Sequence, residues 1–211
     1  SRPSRKIRKR ERESGGVNVK PGTYKAVLHY GDQMSETSIN VESDPRLEVS
    51  QKNIDDVYAS SKQLEQLQQN AADAVKQLVE SKSIAENYKK DLSKLDKESY
   101  KEQIKSSKTI AKTIDSLIDK YLGKIDKRQG ITRNPDVTPL QRLRLASGYV
   151  NGSQNGLTST ETTLIKQAKD AMNTLLGETN RFFTKDWKDY QNTMIEVQMN
   201  PFKETKTFSV D

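Results

Sequence analysis

The stretch Tyr100–Ile125 reads YKEQIKSSKTIAKTIDSLIDKYLGKI. Its Tyr100, Ile104, Ser107, Ala111, Ile114, Ile118, Tyr121 and Ile125 recur in alternating steps of four and three. That period of 3.5 residues is the seam of a helix packing along another long helix. Lysines and acids fill the remaining positions, which predicts a narrow apolar stripe on a charged rod. Asp96 or Ser99 is placed to cap its start, and Gly123 and Gly130 weaken its end.

Upstream, Ile54, Val57, Leu64, Leu67, Ala71, Ala74 and Leu78 are separated by three, four or their multiples, and Tyr58, Val75 and Val79 lie beside them. The pattern extends through Ile84, Tyr88, Leu92 and Leu95. This predicts one helix of about 45 residues, about 65 Å long at 1.5 Å per residue. Downstream, the turn signals Gln129-Gly130, Asn134-Pro135, Asn151-Gly152 and Asn155-Gly156 break the pattern. Between them Thr138-Pro139 opens a short helix with Leu140, Leu143 and Leu145. Thr158-Ser159-Thr160-Glu161 is a capping box. It starts a stripe of Ile165, Ala168, Met172, Leu176, Thr179, Phe183, Trp187, Tyr190, Met194 and Val197. Thr184-Lys185-Asp186 marks a kink without a proline, and Pro201 stops the helix.

Ahead of the helices, Tyr24, Ala26, Leu28 and Tyr30 alternate with Lys25, Val27 and His29, the period of a strand. Gly31-Asp32-Gln33 supplies a turn, and Met34 to Val41 a second strand with Ile39 and Val41 on one face. Asp44-Pro45-Arg46 separates this unit from the helices. The fold class expected is mainly α: an antiparallel helical bundle of three long helices and one short one, with an N-terminal β hairpin or partial immunoglobulin-like unit. The divisions are a basic arm at 1–16, the hairpin at 17–46, the bundle at 47–200 and a tail or short strand at 201–211. A lone hairpin is marginal in water. It must pack on the helices or belong to a sandwich whose other strands lie outside this chain.

Hydrophobic residues are 32% of the 211 and charged residues 31%, so a core forms only if the apolar positions are strictly periodic. No run of 18 apolar residues occurs, so no membrane span is expected. There is no cysteine, which excludes disulfides and thiol catalysis. The net charge of +7 is concentrated in residues 1–13, where seven basic residues face two acidic ones. The other 198 residues carry only +2. Nucleic acid is not an expected partner, because the body has no aromatic-basic surface to support the arm. The chain opens on Ser1 rather than Met, which predicts a trimmed N-terminus.

Candidate chemistry is sparse. His29 is the single histidine and sits in a strand with no identifiable partner for a triad or metal site. Asp55, Asp56, Glu65, Glu86, Asp115, Asp119 and Asp170 fall on charged helix faces, where nothing raises a carboxyl pKa as glycoside hydrolysis requires. The chain alone is therefore expected to hydrolyse no glycoside, and no catalytic, cofactor or metal residue is assigned. Trp187, Tyr190 and Phe183 are the candidate contact residues for a ligand or partner. Aromatics at helical spacing are more often core. Asn151-Gly152-Ser153 fits a glycosylation acceptor, relevant only to a eukaryotic secretory setting.

The stretch Val19-Lys20-Pro21-Gly22-Thr23-Tyr24-Lys25-Ala26-Val27-Leu28, then Ile39-Asn40-Val41 and Asp44-Pro45-Arg46 ahead of a long helix, resembles the C-terminal region of secreted bacterial sortilin-like (VPS10-like) BNR-repeat β-propeller proteins. These are often labelled glycosyl hydrolases. The segment from Arg133-Asn134-Pro135 through Thr158 to Trp187 is similar to the second half of the family's bundle. The likeness spans about residues 17–200, in short motifs. It implies an immunoglobulin-like strand pair after a propeller, export to the periplasm or cell surface, and the propeller as partner. The propeller and its Asp-box repeats are not in this chain, so no activity carries over from it. The function expected is a non-catalytic accessory or scaffold module that packs against the propeller or another protein. The alternatives are a hydrolase fragment lining a carbohydrate cleft and a free-standing coiled-coil-like adaptor.

Overall fold

The computed structural model describes residues 16–124, 137–153, 155–195 and 197. The chain is mainly α with an N-terminal hairpin. Its elements run β1 (Gly22–Tyr30), β2 (Gln33–Val41), α1 (Gln51–Leu95), α2 (Lys101–Leu122), α3 (Pro139–Gly152), α4 (Ser159–Thr184) and α5 (Asp186–Ile195). The basic arm, apart from Gly16, and the tail at 201–211 lie outside the described residues, as do Gly130, Arg133, Asn134 and Pro135. Two compact units divide the chain: Ser1–Lys76 with Ile118–Leu176, and Gln77–Leu117 with Gly177–Asp211. The boundaries fall inside α1, α2 and α4, where the sequence reads as one bundle.

In the first unit, β1 and β2 pair antiparallel with Tyr24 opposite Ile39, Leu28 opposite Ser35 and Tyr30 opposite Gln33. The loop is therefore Gly31-Asp32 alone, and Gln33 belongs to the strand rather than to the turn. Gly31 has φ 56°, the left-handed conformation that a two-residue hairpin loop requires at its first position. Tyr24 donates its hydroxyl to the Lys20 carbonyl at 2.6 Å, and Lys20 pairs with Asp55 of α1 at 2.7 Å. Lys20 also stands over the Tyr58 ring, 5.5 Å from its centre. The base of the hairpin is thus tied to α1. At the Asp44-Pro45-Arg46 junction the Asp44 carboxylate accepts the Arg46 backbone N–H and both prongs of its guanidinium, at 3.0, 2.9 and 2.6 Å. The guanidinium, followed by the backbone bond, holds the Asp44 carboxyl below its ordinary pKa.

Ser50 caps α1 by accepting the Asn53 N–H. Leu64, Leu67, Ala71, Ala72 and Val75 of α1 are buried here, with Ile118 and Tyr121 of α2, Leu143, Ala146 and Val150 of α3, and Ala168, Met172 and Leu175 of α4. The α3 start is the expected one. Thr138 accepts the Gln141 N–H at 3.2 Å, and the Gln141 side chain accepts the Thr138 N–H at 2.9 Å, with Pro139 first in the helix. At α4 the Glu161 carboxylate accepts the Thr158 N–H and hydroxyl, and the Thr158 hydroxyl accepts the Thr160 N–H. Gly123, with φ 79°, ends α2 by returning its N–H to Asp119 at 2.8 Å, a left-handed cap.

In the second unit, α1 and α2 are joined by a turn that Asp96 organises. Its carboxylate accepts the N–H groups of Glu98 and Ser99 and the Ser99 hydroxyl. These bonds, the hydroxyl first, hold its carboxyl below the usual value. The contribution is therefore complete above the ordinary carboxylate pKa of about 3.9 and is lost as the pH falls through the lowered one. Asp96→Asn is expected to flatten the acid limb of a melting-temperature profile below pH ~4 and to leave its slope above pH ~5 unchanged. An unchanged acid limb would show that this carboxylate contributes nothing.

The buried row of α1 continues here as Leu78, Ser81, Ala85 and Leu92, and Ile84 and Leu95 are exposed. The stripe thus runs through small residues, and the two larger side chains expected in it face outward. From α2 the row is Ser107, Ile110, Ile114 and Leu117. Phe182 of the α4 end is buried and its neighbour Phe183 only half-buried, one position from the expected register. The last expected helix is two, because Lys185 separates α4 from α5. The Thr184 hydroxyl donates back to the Asn180 and Arg181 carbonyls, a bond that bends helices. The backbone ladder persists across the break, with the Lys185 N–H on Arg181 and the Asp189 N–H on Lys185.

Candidate functional site

The aromatic group at the end of the second unit is the first candidate. Phe182 meets Phe183 edge-on with ring centres 5.1 Å apart, and Trp187 lies 5.2 Å from Tyr190 at 34°. Phe182 also stands 6.3 Å from Trp187. The structure brings the three expected contact residues, Phe183, Trp187 and Tyr190, into this one group. Trp187 is 8% exposed and Tyr190 4%. A ring that stacks on a sugar must offer a face to solvent, and these faces are covered by protein. Tyr190 and Ser107 share a buried hydrogen bond of 3.0 Å, and Ser107 also donates to the Gln103 carbonyl. Burial pushes the Tyr190 phenol pKa up, partly opposed by the Ser107 bond. The phenol stays neutral and fastens α5 to α2 within the unit.

Of the candidate carboxylates, Asp55, Asp56, Glu65, Glu86 and Asp115 pair with lysines at the surface. Asp56 meets Lys52 at 2.6 Å and Glu65 meets Lys62 at 2.8 Å, both within α1. Lys82 bonds Asp115 at 2.9 Å across α1 and α2 and approaches Glu86 at 3.5 Å. Asp55 is held below its ordinary pKa, first by Lys20 and then by Gln51. Glu65 is held below its ordinary pKa too, first by Lys62, so these two carboxyls favour the ionised form, the opposite of what a general acid requires. His29 is exposed on β1, opposite Met34. Among the described residues no group of three or more His, Cys, Asp or Glu is arranged to hold a metal ion. No helix among them is long and apolar enough to cross a membrane. Asn151 of the glycosylation-like triplet sits in the last turn of α3, its side chain near the Ser61 hydroxyl at 3.5 Å.

The remaining candidate is the hairpin itself. Leu28 is 69% exposed and Tyr30 80%, and Ile39 shares their face and is also exposed. Val27 and Met34 are exposed on the opposite face. No further strand pairs with either edge among the described residues. In a two-residue hairpin the pair closing the loop exchanges both its hydrogen bonds, and pairing alternates from there. The N–H and C=O groups of Thr23, Lys25, Val27 and His29 then point outward from β1, and those of Met34, Glu36, Ser38 and Asn40 from β2. The alternation was legible in sequence; that both faces are exposed from Val27 to Ser35 was not. Compared with known proteins, the chain matches no family model, no curated protein and no solved structure.

Proposed function

We propose that this chain is a non-catalytic accessory module of a larger exported protein, and that its hairpin packs against or completes an upstream β-rich domain, a propeller in the resemblance drawn from its motifs. The observation that carries the reading is the bare hairpin: two strands of nine residues with Leu28, Tyr30 and Ile39 in solvent. Two strands alone are marginal in water, and open edges bearing apolar side chains are a template for pairing. Among the described residues this hairpin is anchored at its base, through Lys20 and Tyr24. The helices would then act as the scaffold that presents it. Carbohydrate contact through Trp187 is disfavoured by the burial of that ring.

Hydrogen exchange of the hairpin amides tests this. In the isolated chain the amides of Val27–Tyr30 are expected to exchange far faster than those of α2. In the longer parent protein they should gain protection of about a hundredfold or more, the effect of ~3 kcal/mol of added local stability. Equal exchange in both settings would overturn the reading.

A further inference from the structure

We infer that the outer face of α3 is a self-association surface, on which two copies of this chain pair antiparallel through Gly148. This goes beyond the hairpin reading and rests on different residues. Arg144, Leu145, Gly148, Tyr149 and Gly152 recur at helical spacing and, with Glu161 from the first turn of α4, line an open groove of ≈ 650 Å³. Leu145 is 50% exposed and Tyr149 49%. Both are large apolar side chains in the middle of a helix whose other face, with Leu143, Ala146 and Val150, fills the core of the first unit.

Gly148 is the informative residue. A glycine inside a helix weakens it relative to alanine. Among the described residues a Cβ on Gly148 would meet no atom within 4 Å, and the same holds for Gly152, so neither glycine is required by a close approach there. Together they make a notch in the α3 surface, flanked by Leu145 and Tyr149, that admits a second helix at close range.

Charge selects the occupant. The groove lining has one cation, Arg144, and one carboxylate, Glu161, one oxygen of which takes the Thr158 N–H and hydroxyl. The short connection from α3 to α4 puts Glu161 toward the C-terminal end of α3, and Arg144 lies one turn before Gly148. When two copies of α3 cross antiparallel at Gly148, Arg144 of each stands beside the Gly152 end of the other, where Glu161 waits. The surface is therefore complementary to itself, as a two-fold interface requires. One helix face is small beside the roughly 1,200–2,000 Å² of a standard interface, so the dimer is weak.

Sedimentation equilibrium of the whole chain is the test, from about 10 µM to about 1 mM, the range suited to interfaces at the small end. A reversible dimer is expected. Gly148→Leu fills the notch in empty space, so it should leave the melting temperature unchanged or raised and shift dimerisation by at least tenfold. Arg144→Glu and Glu161→Arg should each be monomeric alone and form a heterodimer when mixed, because the mixture restores both charge pairs. Since Glu161 also caps α4, circular dichroism checks that its variant folds. If it does not, Gly148→Leu and Arg144→Glu decide. A chain monomeric throughout, a dimer indifferent to Gly148→Leu, or folded charge variants that fail to pair would each overturn the inference.

Discussion

Truncating Ile114 to alanine is expected to lower the stability of the second unit by about 2–5 kcal/mol, the range for removing a fully buried aliphatic side chain. Ile114 has no exposed surface and lies in the row Ser107, Ile110, Ile114 and Leu117 of α2. The loss combines the transfer free energy of three carbons with a cavity that long, tied helices collapse around poorly. Leu78, equally buried on α1 in the same unit, should behave alike. Ile114→Val removes one methyl and should cost about 0.5–1.5 kcal/mol, which grades the series. Trp187, the single tryptophan, belongs to this unit, so its fluorescence reports the transition directly. A urea midpoint that Ile114→Ala and Leu78→Ala leave in place would show that the α2 row is not a packed seam.

Gly156→Ala is expected to destabilise the first unit by about 2–4 kcal/mol, through backbone strain of ~1–3 kcal/mol and a lost hydrogen bond of ~0.5–1.5 kcal/mol. Gly156 has φ +104°, which an L side chain rarely adopts. A Cβ there would stand 2.7 Å from Cγ and 3.0 Å from Cβ of Asn53. Asn53 cannot simply retreat. Its backbone N–H is held by Ser50 at the start of α1, and its side-chain amide donates to the Asn155 carbonyl at 2.8 Å. In an Asn53→Ala background the same change should cost less, because the contacts with Cγ and Nδ2 and the hydrogen bond to Asn155 are already gone, while the strain and the 3.0 Å approach to Cβ remain. Gly148→Ala is the contrast: it lies in open space on α3 and should stabilise by about 0.5–1 kcal/mol. Thermal melts followed by circular dichroism separate the three. A Gly156→Ala variant within ~0.5 kcal/mol of the parent would sink the account, since that is the ordinary scatter of a surface change.

The two changes probe different kinds of information. Ile114 is visible in the sequence because a helix repeats its geometry every 3.6 residues, so that the apolar side chains of one face recur at fixed spacing. The cost of Gly156→Ala depends on Asn53, which the fold brings against this turn and ties to Asn155 across 102 positions of the chain, and no local pattern encodes it.

The same division holds across the molecule. Sequence by itself determined the mainly α class, the 45-residue α1, the α2 seam, the starts of α3 and α4 and the strand pair, because each follows from local periodicity or from a side chain bonding its own neighbouring backbone. The tertiary structure decided which residues of a stripe are covered. Ser81 and Ala85 are buried while Ile84 and Leu95 face solvent, since a small residue allows the closer approach and apolar character alone does not pick the packed face. It also seated Phe182 rather than Phe183 in the core and closed the rings of Trp187 and Tyr190 behind protein. It left Leu28, Tyr30, Leu145 and Tyr149 in solvent. Burial is a property of what lies opposite a side chain, and a one-dimensional pattern carries the side chain but not its opposite.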